Sequence, residues 1–480
     1  MTATAPLPTL SPSPVRTPPA ATPTWRYLGF LIGPGVGAFA FNAVTVTMPQ
    51  LHDAFAATEV QGELVVAGYG IPFAVLLILG GRLGDRFGRH ALYAAGMGLF
   101  LLSALACAVS PTIDVLIAAR IAQGIGASLC TPQVLATIQA TSTGTARVRA
   151  IAGFGASGGI GAAAGQVLGG ALADATLGSV AGWRLVYLVI AAAALAAIAL
   201  APLAPRSRSH GPVTIDLAGT VELGIGVLLI AAALTFGPAM GWAWPAFAAL
   251  TAGAAALVAL WKHQDRIERS GRVPLLPPSV LRLRSLQRGL AAAGLFFAGY
   301  GAVLYVIPRA VEAGLGYDSL TAGLFLLPFA VVFAIVSLSL APLQRRLGER
   351  TLVWGVGIQL VALVGFSATV VAAWGPALIW WAQPALVLLG AGQALVFSPL
   401  TQAVVREVPV EAAGLSGGMF STVQQLALSL GVIAIGALAT ATGWGGRTEL
   451  LSGALLDVAL AGGVLAFALV LTARPRPARV

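Results

Sequence analysis

The sequence predicts an all-α polytopic membrane protein, and three observations support this fold class. Hydrophobic residues make up 58% of the 480 positions and charged residues only 9%, whereas a soluble domain usually carries about 25% charged residues. The mean hydropathy is +0.89. Long apolar runs alternate with short polar breaks, and about 20 apolar residues suffice for one membrane-spanning helix. This pattern excludes a secreted enzyme, a disordered protein and a nucleic-acid binder.

Fourteen apolar runs are long enough to form membrane-spanning helices. Residues 1–25, which precede them, are rich in Pro, Thr and Ser and lack the apolar core of a signal peptide. We expect this segment to be a disordered cytoplasmic tail. The predicted spans cover residues 27–49, 61–81, 90–109, 114–137, 149–172, 184–203, 215–236, 243–261, 289–308, 319–342, 351–373, 376–398, 417–440 and 450–472.

The positions of the basic residues set the expected orientation, because Lys and Arg concentrate in the cytoplasmic loops of membrane proteins. If both termini are cytoplasmic, all but four of the 27 Lys and Arg residues fall on the inner side. Arg184, Arg309 and Arg447 then lie outside, and Arg120 lies within a span. Membrane topology therefore explains the net charge of +10 without a nucleic-acid partner. The short loops and the use of Arg over Lys indicate a bacterial plasma-membrane protein.

Several functions that depend on a cofactor or a metal are excluded. Lys262 is the only lysine and does not follow a glycine-rich loop, so the chain has no P-loop for nucleotide hydrolysis. The four histidines lie in or beside loops and do not approach the spacing of metal ligands. Cys107 and Cys130 lie in apolar runs, where a free thiol behaves as a small hydrophobe. We therefore expect no cofactor, no metal site and no enzymatic activity.

A weak internal repeat divides the chain into two halves. The sequence LGDR at residues 83–86 returns as LGER at 347–350, and GIG at 124–126 returns as GAG at 390–392. The offset spans eight predicted helices, where a six-plus-six duplication would give six, so two helices are inserted between the halves. Repeats of this kind are typical of secondary transporters. The predicted units are a tail (1–25), a six-helix bundle (26–204), two inserted helices with a cytoplasmic linker (205–287), a second six-helix bundle (288–473) and a cytoplasmic tail (474–480).

The strongest motif is GRLGDRFGRH at residues 81–90, in the link between the second and third spans. Its glycines permit a sharp turn, and its charges suit the inner membrane interface. An ordinary basic turn that fixes topology is the alternative interpretation. The string resembles the signature loop GxLaDrxGrr of the major facilitator superfamily. That resemblance implies the major facilitator fold, here with fourteen transmembrane helices, and assigns the signature to Gly81, Gly84, Asp85, Arg86, Gly88 and Arg89.

The fourth span contains ARIAQGIGASLCTP, which resembles the RxxQGxG motif of the same superfamily. A guanidinium within the bilayer costs a few kcal/mol on insertion scales, so Arg120 must face a cavity or a partner. The resemblance implies that Arg120 helps to couple proton and substrate movement, with Gln123 beside it in the cavity wall. The alternative is a structural role in which Arg120 bonds helix carbonyls.

The fifth span, GFGASGGIGAAAGQVLGGAL, presents glycines at a spacing of four, which lets another helix approach closely. It resembles the antiporter motif GxxxGPxxGG, with Gln166 in place of the usual Pro. A GxGxxG string in this span follows no strand, so a dinucleotide site is excluded. The predicted antiporter face consists of Gly161, Gly165, Gln166, Gly169 and Gly170.

Further stretches, such as PLLPPSVLRLRSL before the ninth span, resemble the fourteen-span drug:proton antiporter branch. That branch often has an Asp in the first span where this chain has Ala40. Proton coupling still needs a titratable acid, and the candidates are Glu63, Glu222 and Asp457. Glu63 is either a coupling acid or a solvated residue at the start of a helix, and Glu222 lies in an inserted helix. Asp114 is more simply explained as a helix cap.

Five polar residues of the spans are candidates for the wall of a substrate cavity, although each can instead form a helix-to-helix hydrogen bond. They are Asn42, Gln123, Gln359, Gln393 and Gln424. A cavity with few charges favours lipophilic or amphipathic organic compounds. We expect a monomeric, proton-coupled plasma-membrane exporter of drugs or antibiotics that works by alternating access, with small molecules, protons and the lipid bilayer as its partners. An importer or metabolite transporter of the same fold is the alternative, since fold does not set direction.

Overall fold

The structure is a computed structural model that describes residues 23–173, 175–207, 215–238, 240–272, 274–348, 350–405, 413–442 and 446–472. Within these residues, fourteen helices are long and apolar enough to cross a membrane. The predicted all-α polytopic fold and the number of spans are therefore confirmed. The predicted tails at 1–25 and 474–480 lie almost wholly outside the described residues.

The fourteen long helices are numbered here in chain order. They are α1 Leu28–Val46, α2 Glu59–Phe87, α3 Arg89–Ala108, α4 Ile113–Thr141, α5 Gly144–Ala173, α6 Gly182–Leu200, α7 Leu217–Phe236, α8 Trp244–Arg269, α9 Arg284–Arg309, α10 Ser319–Leu347, α11 Arg350–Ala372, α12 Gln383–Val405, α13 Ala413–Thr442 and α14 Arg447–Thr472.

Shorter elements occupy the links. Single helical turns or short helices lie at Thr24–Tyr27, Met48–Phe55, Ala201–Leu203, Pro278–Leu281, Ala310–Gly314 and Leu378–Trp381. Strands β1 (Thr176–Leu177) and β2 (Val180–Ala181) pair antiparallel between α5 and α6, with Thr176 opposite Ala181. The sequence analysis did not predict this small hairpin.

Polar side chains cap several helices where they begin. Thr58 and Gln61 form a capping box at the start of α2, in which each side chain bonds the backbone of the other residue. The Asp318 carboxylate accepts from the backbone N–H of Thr321 at 2.9 Å at the start of α10. These bonds satisfy N–H groups that a helix leaves unpaired in its first turn. They fix the points at which the chain enters the bundle.

The signature segment differs from its prediction. The sequence analysis placed Gly81, Gly84, Asp85 and Arg86 in a loop, but α2 continues to Phe87 and the link to α3 is Gly88 alone. Gly88 has φ +101°, which a residue with a side chain rarely adopts. The helix persists because α4 packs against it: a methyl group on Gly84 would overlap the Gln133 side chain. Tertiary packing overrides the turn-forming tendency of the glycines.

Two repeated helix arrangements make up most of the molecule. A methyl group on Gly124 of α4 would overlap the backbone of α2, and one on Gly126 would overlap α3. Gly390 and Gly392 of α12 approach α10 and α11 in the same way. The repeated glycines therefore make equivalent contacts in the two halves. Helices α1–α6 form the first half, and α9–α14 form the second.

The halves meet along two seams, α5 against α10 and α2 against α13. The face of the bundle that carries the turns at Gly88 and Gly348 is called the basic face, and the other end is called the opposite face. One apolar core includes Trp183 of the first half and Leu386 of the second. A second core joins Val75 of α2 to Val227 of α7 and Phe296 of α9.

Helices α7 and α8 pair with each other, and α7 also packs on both α2 and α13. The Asp216 carboxylate caps α7, where it accepts from the N–H of Gly219 at 2.8 Å, from Gln264 at 2.7 Å and from the N–H of Leu275 at 3.3 Å. Partial burial would raise the pKa of Asp216, but these bonds to the charged form outweigh it and lower the pKa. In addition, Arg82 of α2 donates to Pro274 O at 3.3 Å. The inserted pair thus packs against both halves and is hydrogen-bonded to the first half through Arg82.

Candidate transport site

The two seams are tightest toward the opposite face. A methyl group on Gly170 of α5 would lie 3.0 Å from the carbonyl carbon of Ser319 in α10, whereas one on Gly159, nearer the basic face, would lie 3.7 Å from Phe333. In the α2–α13 seam, a methyl group on Gly70 would lie 3.1 Å from Ser429 Cβ, and one on Gly418, nearer the basic face, would lie 3.7 Å from Ile78. Among these four glycine contacts, the closer ones lie toward the opposite face.

Arg120 is fully buried in the first half, between α4 and α2. Its Nε donates to Val65 O at 3.0 Å, its Nη1 donates to Gln123 Oε1 at 2.7 Å, and its guanidinium carbon lies 4.5 Å from the centre of the Tyr69 ring. Arg120 Nη2 and Gln123 Nε2 are buried donors with no hydrogen-bond partner among the described residues. Such donors are uncommon in folded proteins and mark sites of strain or function.

Glu63 lies on α2, less than one turn from Val65, and only 2% of its surface is exposed. Its carboxylate rests against Gly436 of α13: a methyl group on Gly436 would lie 2.7 Å from Glu63 Cδ. Of the two interpretations left open by the sequence, the solvated residue at a helix start does not fit this burial. Glu63 occupies the seam between the halves, two residues before Val65, whose carbonyl accepts from Arg120.

The glycine face of α5 packs against two helices. Methyl groups on Gly161, Gly165 and Gly169 would overlap α1, and one on Gly170 would overlap α10 in the other half. Gln166, which replaces the proline of the motif, stays helical and donates from Nε2 to Asn42 Oδ1 at 3.1 Å. A proline would remove a backbone donor and bend the helix. In this chain α5 is a continuous helix, and a buried side-chain hydrogen bond joins it to α1.

The remaining cavity candidates do not form one cluster. The backbone of Gln359 lies at the contact of α11 with Gly392 of α12, inside the second half. Gln393 is the next residue on α12 and is also buried, at 3% exposed. Gln424 is half-buried on α13, the helix of the α2–α13 seam. The structure therefore brings Gln123 close to Arg120 and Asn42 close to Gln166, but places Gln359 and Gln393 at the α11–α12 contact of the second half and Gln424 on α13.

The other two candidate acids lie away from Arg120. Glu222 of α7 accepts from His263 of α8 at 2.9 Å, and both side chains are about one-third exposed. Asp457 of α14 is 3% exposed and lies against α9, where a methyl group on Gly299 would overlap its carboxylate. The sequence gave no indication of the His263 partner. Glu222 is thus part of the inserted pair, whereas Asp457 is a buried acid of the second half.

The signature residues form a charged junction at the basic face. Arg89 pairs with Asp85 at 2.9 Å and donates from Nη1 to Ala136 O at 2.9 Å and to Ser207 Oγ at 3.2 Å. This junction connects the end of α2 with α4 and with the chain that follows α6. Arg86 lies over the ring of Phe87 at 5.4 Å from its centre.

Sequence reasoning missed three residues of the site: Tyr69, Ser429 and Gly436. No sequence motif indicates that Tyr69 lies over Arg120. Ser429 and Gly436 of α13 are small and uncharged, so the sequence does not mark them as site residues. The available signal is the spacing: Glu63 precedes Gly70 by seven residues, and Ser429 precedes Gly436 by seven. Such a spacing puts two residues on one helix face.

These features define a polytopic membrane protein with two repeated helix bundles and a buried Arg120 in the first of them. The chain belongs to the Major Facilitator Superfamily, which it matches over residues 30–432. The resemblance stated for the signature motif is thereby confirmed, and membership in a family of transporters confirms that the chain is not an enzyme. The protein is a multi-pass membrane transporter of small molecules.

Two curated relatives and one solved structure are similar to the chain. The "Probable actinorhodin transporter" of Streptomyces coelicolor is 30% identical over 88% of this chain and 73% of its own. The "Cephamycin export protein CmcT" of Amycolatopsis lactamdurans is 31% identical over 85% and 82%. The crystal structure of a D-xylose-proton symporter aligns with a TM-score of 0.66 over 94% of this chain and 97% of its own, at 16% identity. At that identity the structural likeness shows the fold alone.

Proposed function

We propose that this transporter is a proton-driven exporter of lipophilic or amphipathic organic compounds, antibiotics among them. The observation that carries the proposal is the buried Arg120–Gln123 pair on α4, bonded to α2 beside the buried acid Glu63. Charged residues at membrane depth are costly and mark proton relays or substrate pathways. One relative is named for actinorhodin transport and the other for cephamycin export, which supports a substrate of this kind.

The proposed cycle is alternating access. The two halves rock about the central site, so that the site opens to one side of the membrane at a time. Glu63 is the first candidate for the proton carrier because it lies at a seam that must open and close. Asp457 is a second candidate, since it is equally buried but lies within the second half. Glu222 has less support, because it is paired with His263.

Arg120 places a positive charge against α2, where its Nε donates to Val65 O, two residues from Glu63 in the sequence. Tyr69 and Val65 hold the guanidinium in place through its face and its Nε. Arg120 Nη2 and Gln123 Nε2, which have no partner in the described part of the chain, are available to a polar group of a substrate or to water.

The proposed location is the plasma membrane, with the basic face and both termini in the cytoplasm. The positive-inside rule supports this orientation, because the basic face carries Arg82, Arg86 and Arg89. A monomer is sufficient for the mechanism, since both halves of the site belong to one chain.

Transport in everted membrane vesicles tests the proposal. The vesicles come from a host that lacks its own drug pumps and are energised by respiration. When Hoechst 33342, ethidium or tetracycline is added to the outside medium, the vesicles should accumulate at least one of these compounds. A protonophore should abolish the accumulation, and Arg120→Ala should reduce it at equal protein levels. Arg269→Ala is the matched control, because the Arg269 side chain is 75% exposed at the end of α8.

Accumulation that persists with a protonophore would contradict proton coupling. Proton-dependent movement of the same compounds in the opposite direction would favour an importer. In intact cells, the exporter should lower susceptibility to the compounds that the vesicles accumulate.

A further inference from the structure

The α2–α13 seam contains two reciprocal contacts. A methyl group on Gly70 of α2 would overlap the Ser429 hydroxyl of α13, and a methyl group on Gly436 of α13 would overlap the Glu63 carboxylate of α2. The helices run antiparallel, so a spacing of seven residues on each brings the two pairs into register. In each pair a polar side chain of one half fits into the space that a glycine of the other half leaves open.

These contacts lie where the seam is tightest and are nearly dry. Glu63 is 2% exposed and Ser429 is 1% exposed. Any motion that opens the opposite face must pull Glu63 away from Gly436 and admit water to the carboxyl group. Closure does the reverse and removes the carboxyl group from water.

We infer that protonation of Glu63 controls the closure of this seam, and that Gly436, Ser429 and Gly70 are the residues that hold it closed. An ionised carboxylate is far more costly to remove from water than a neutral one. The protonated acid therefore favours the closed seam, and the ionised acid favours the open, hydrated seam. The inference rests on the proposed proton-coupled function and assigns the step at which the proton acts.

The surroundings of Glu63 are consistent with this role. Helix α13 carries no charged or titratable side chain. On α4, Arg120 donates to Val65 O and Gln123, and Asp114 is exposed in the first turn. On the short helix Met48–Phe55, the His52 ring lies against Gly62, and Asp53 is exposed. On α7, Glu222 lies toward the basic face. The neighbouring acids thus remain in water or lie at another depth, whereas Glu63 is enclosed.

Distance measurement by double electron–electron resonance tests the inference without substrate or proton gradient. Spin labels replace Ala54 in the first half and Thr448 at the start of α14 in the second, both exposed at the opposite face, in a chain with Cys107→Ala and Cys130→Ala. In lipid nanodiscs, the distance should be short at pH 5 and gain a longer population at pH 8.5. Glu63→Gln should give the short distance at both pH values. Asp114→Asn, the control, should keep the pH response.

A steric pair of variants tests the two glycine contacts. Gly70→Ala should weaken closure and enlarge the longer population at pH 5, because its methyl group would lie 3.1 Å from Ser429 Cβ. Adding Ser429→Gly to the same chain removes the overlap and should restore the short distance at pH 5. A failure of this second substitution to restore the distance would overturn the assignment, whether or not Gly70→Ala folds on its own.

A pH response that survives in Glu63→Gln, or its absence from the unsubstituted chain, would also overturn the inference. Either result is compatible with proton-driven efflux by another acid, so the proposed function would stand. A Glu63-dependent change of distance in a chain with no proton-driven efflux would leave the seam assignment intact and contradict the proposed function.

Discussion

The contact between α1 and α5 allows a quantitative prediction for Gly161→Ala. The new methyl carbon would lie 2.7 Å from the carbonyl carbon of Gly35 and 2.8 Å from its Cα. The Gly35 carbonyl oxygen would lie closer still. Carbon atoms in contact are about 3.5 Å apart, so the two helices must separate locally by roughly 0.8 Å or more. Overpacking of this kind costs about 1–3 kcal/mol. An alanine in a helix also gains up to about 1 kcal/mol over glycine.

Gly158→Ala is the matched control because no described residue lies within 4 Å of its added methyl group. Both variants gain the same helix propensity, so the difference between them isolates the overlap. We expect Gly161→Ala to be less stable than Gly158→Ala by about 1–3 kcal/mol. Unfolding of the purified protein in sodium dodecyl sulfate, followed by tryptophan fluorescence, measures the difference. Equal stability of the two variants would refute the close backbone contact of α1 with α5.

Three further predictions concern charged groups. Arg120→Lys should lose most proton-dependent accumulation in vesicles, because one ammonium group cannot replace Nε and Nη1 toward Val65 and Gln123; activity like that of the unsubstituted chain would contradict the role of the guanidinium. Glu222→Gln should retain proton-dependent accumulation and lose no more than about 1 kcal/mol of stability, since its pair with His263 is partly exposed; complete loss of coupling would restore Glu222 as the proton carrier. Asp216→Ala should lower stability at neutral pH by at least the roughly 1 kcal/mol of a helix cap. Because hydrogen bonds lower the pKa of Asp216 in the folded state, its ionic contribution is full above the unfolded value of about 3.9 and is lost as the pH falls through the lower native value. Denaturation from pH 7 to pH 3 should therefore show the difference between Asp216→Ala and the unsubstituted chain shrinking in acid, and a constant difference would contradict the assigned bonds.

Much of the fold was predictable because the bilayer imposes simple rules. Each span must be apolar and must satisfy its own backbone, so length and hydropathy suffice to find fourteen helices. The signature segment was predicted wrongly because Gly81 and Gly84 promote turns in isolation, whereas the packing of α4 on Gly84 keeps them helical. The local sequence gives no indication of the contact between Gly84 and α4.

The residues of the site were harder to predict than the spans. Arg120 was accessible from sequence because a charge within an apolar run is rare. The partners of Glu63 and Glu222 were not accessible, since Gly436 is 373 positions from Glu63 and His263 lies on a different helix. The contacts of a glycine or serine at this seam depend on the antiparallel register of α2 with α13, which the sequence does not show. The glycines of α5 predicted a close helix contact, but the sequence did not identify α1 as the neighbouring helix.

Proton movement linked to substrate movement is the most direct test of the account. Proteoliposomes that contain the purified transporter and the pH indicator pyranine would be mixed with a compound accumulated by the vesicles. Inward movement of the compound should drive protons outward and raise the internal pH, and Glu63→Gln should abolish this change. An unchanged internal pH during measured uptake, or a fall in pH with uptake, would contradict proton-coupled antiport.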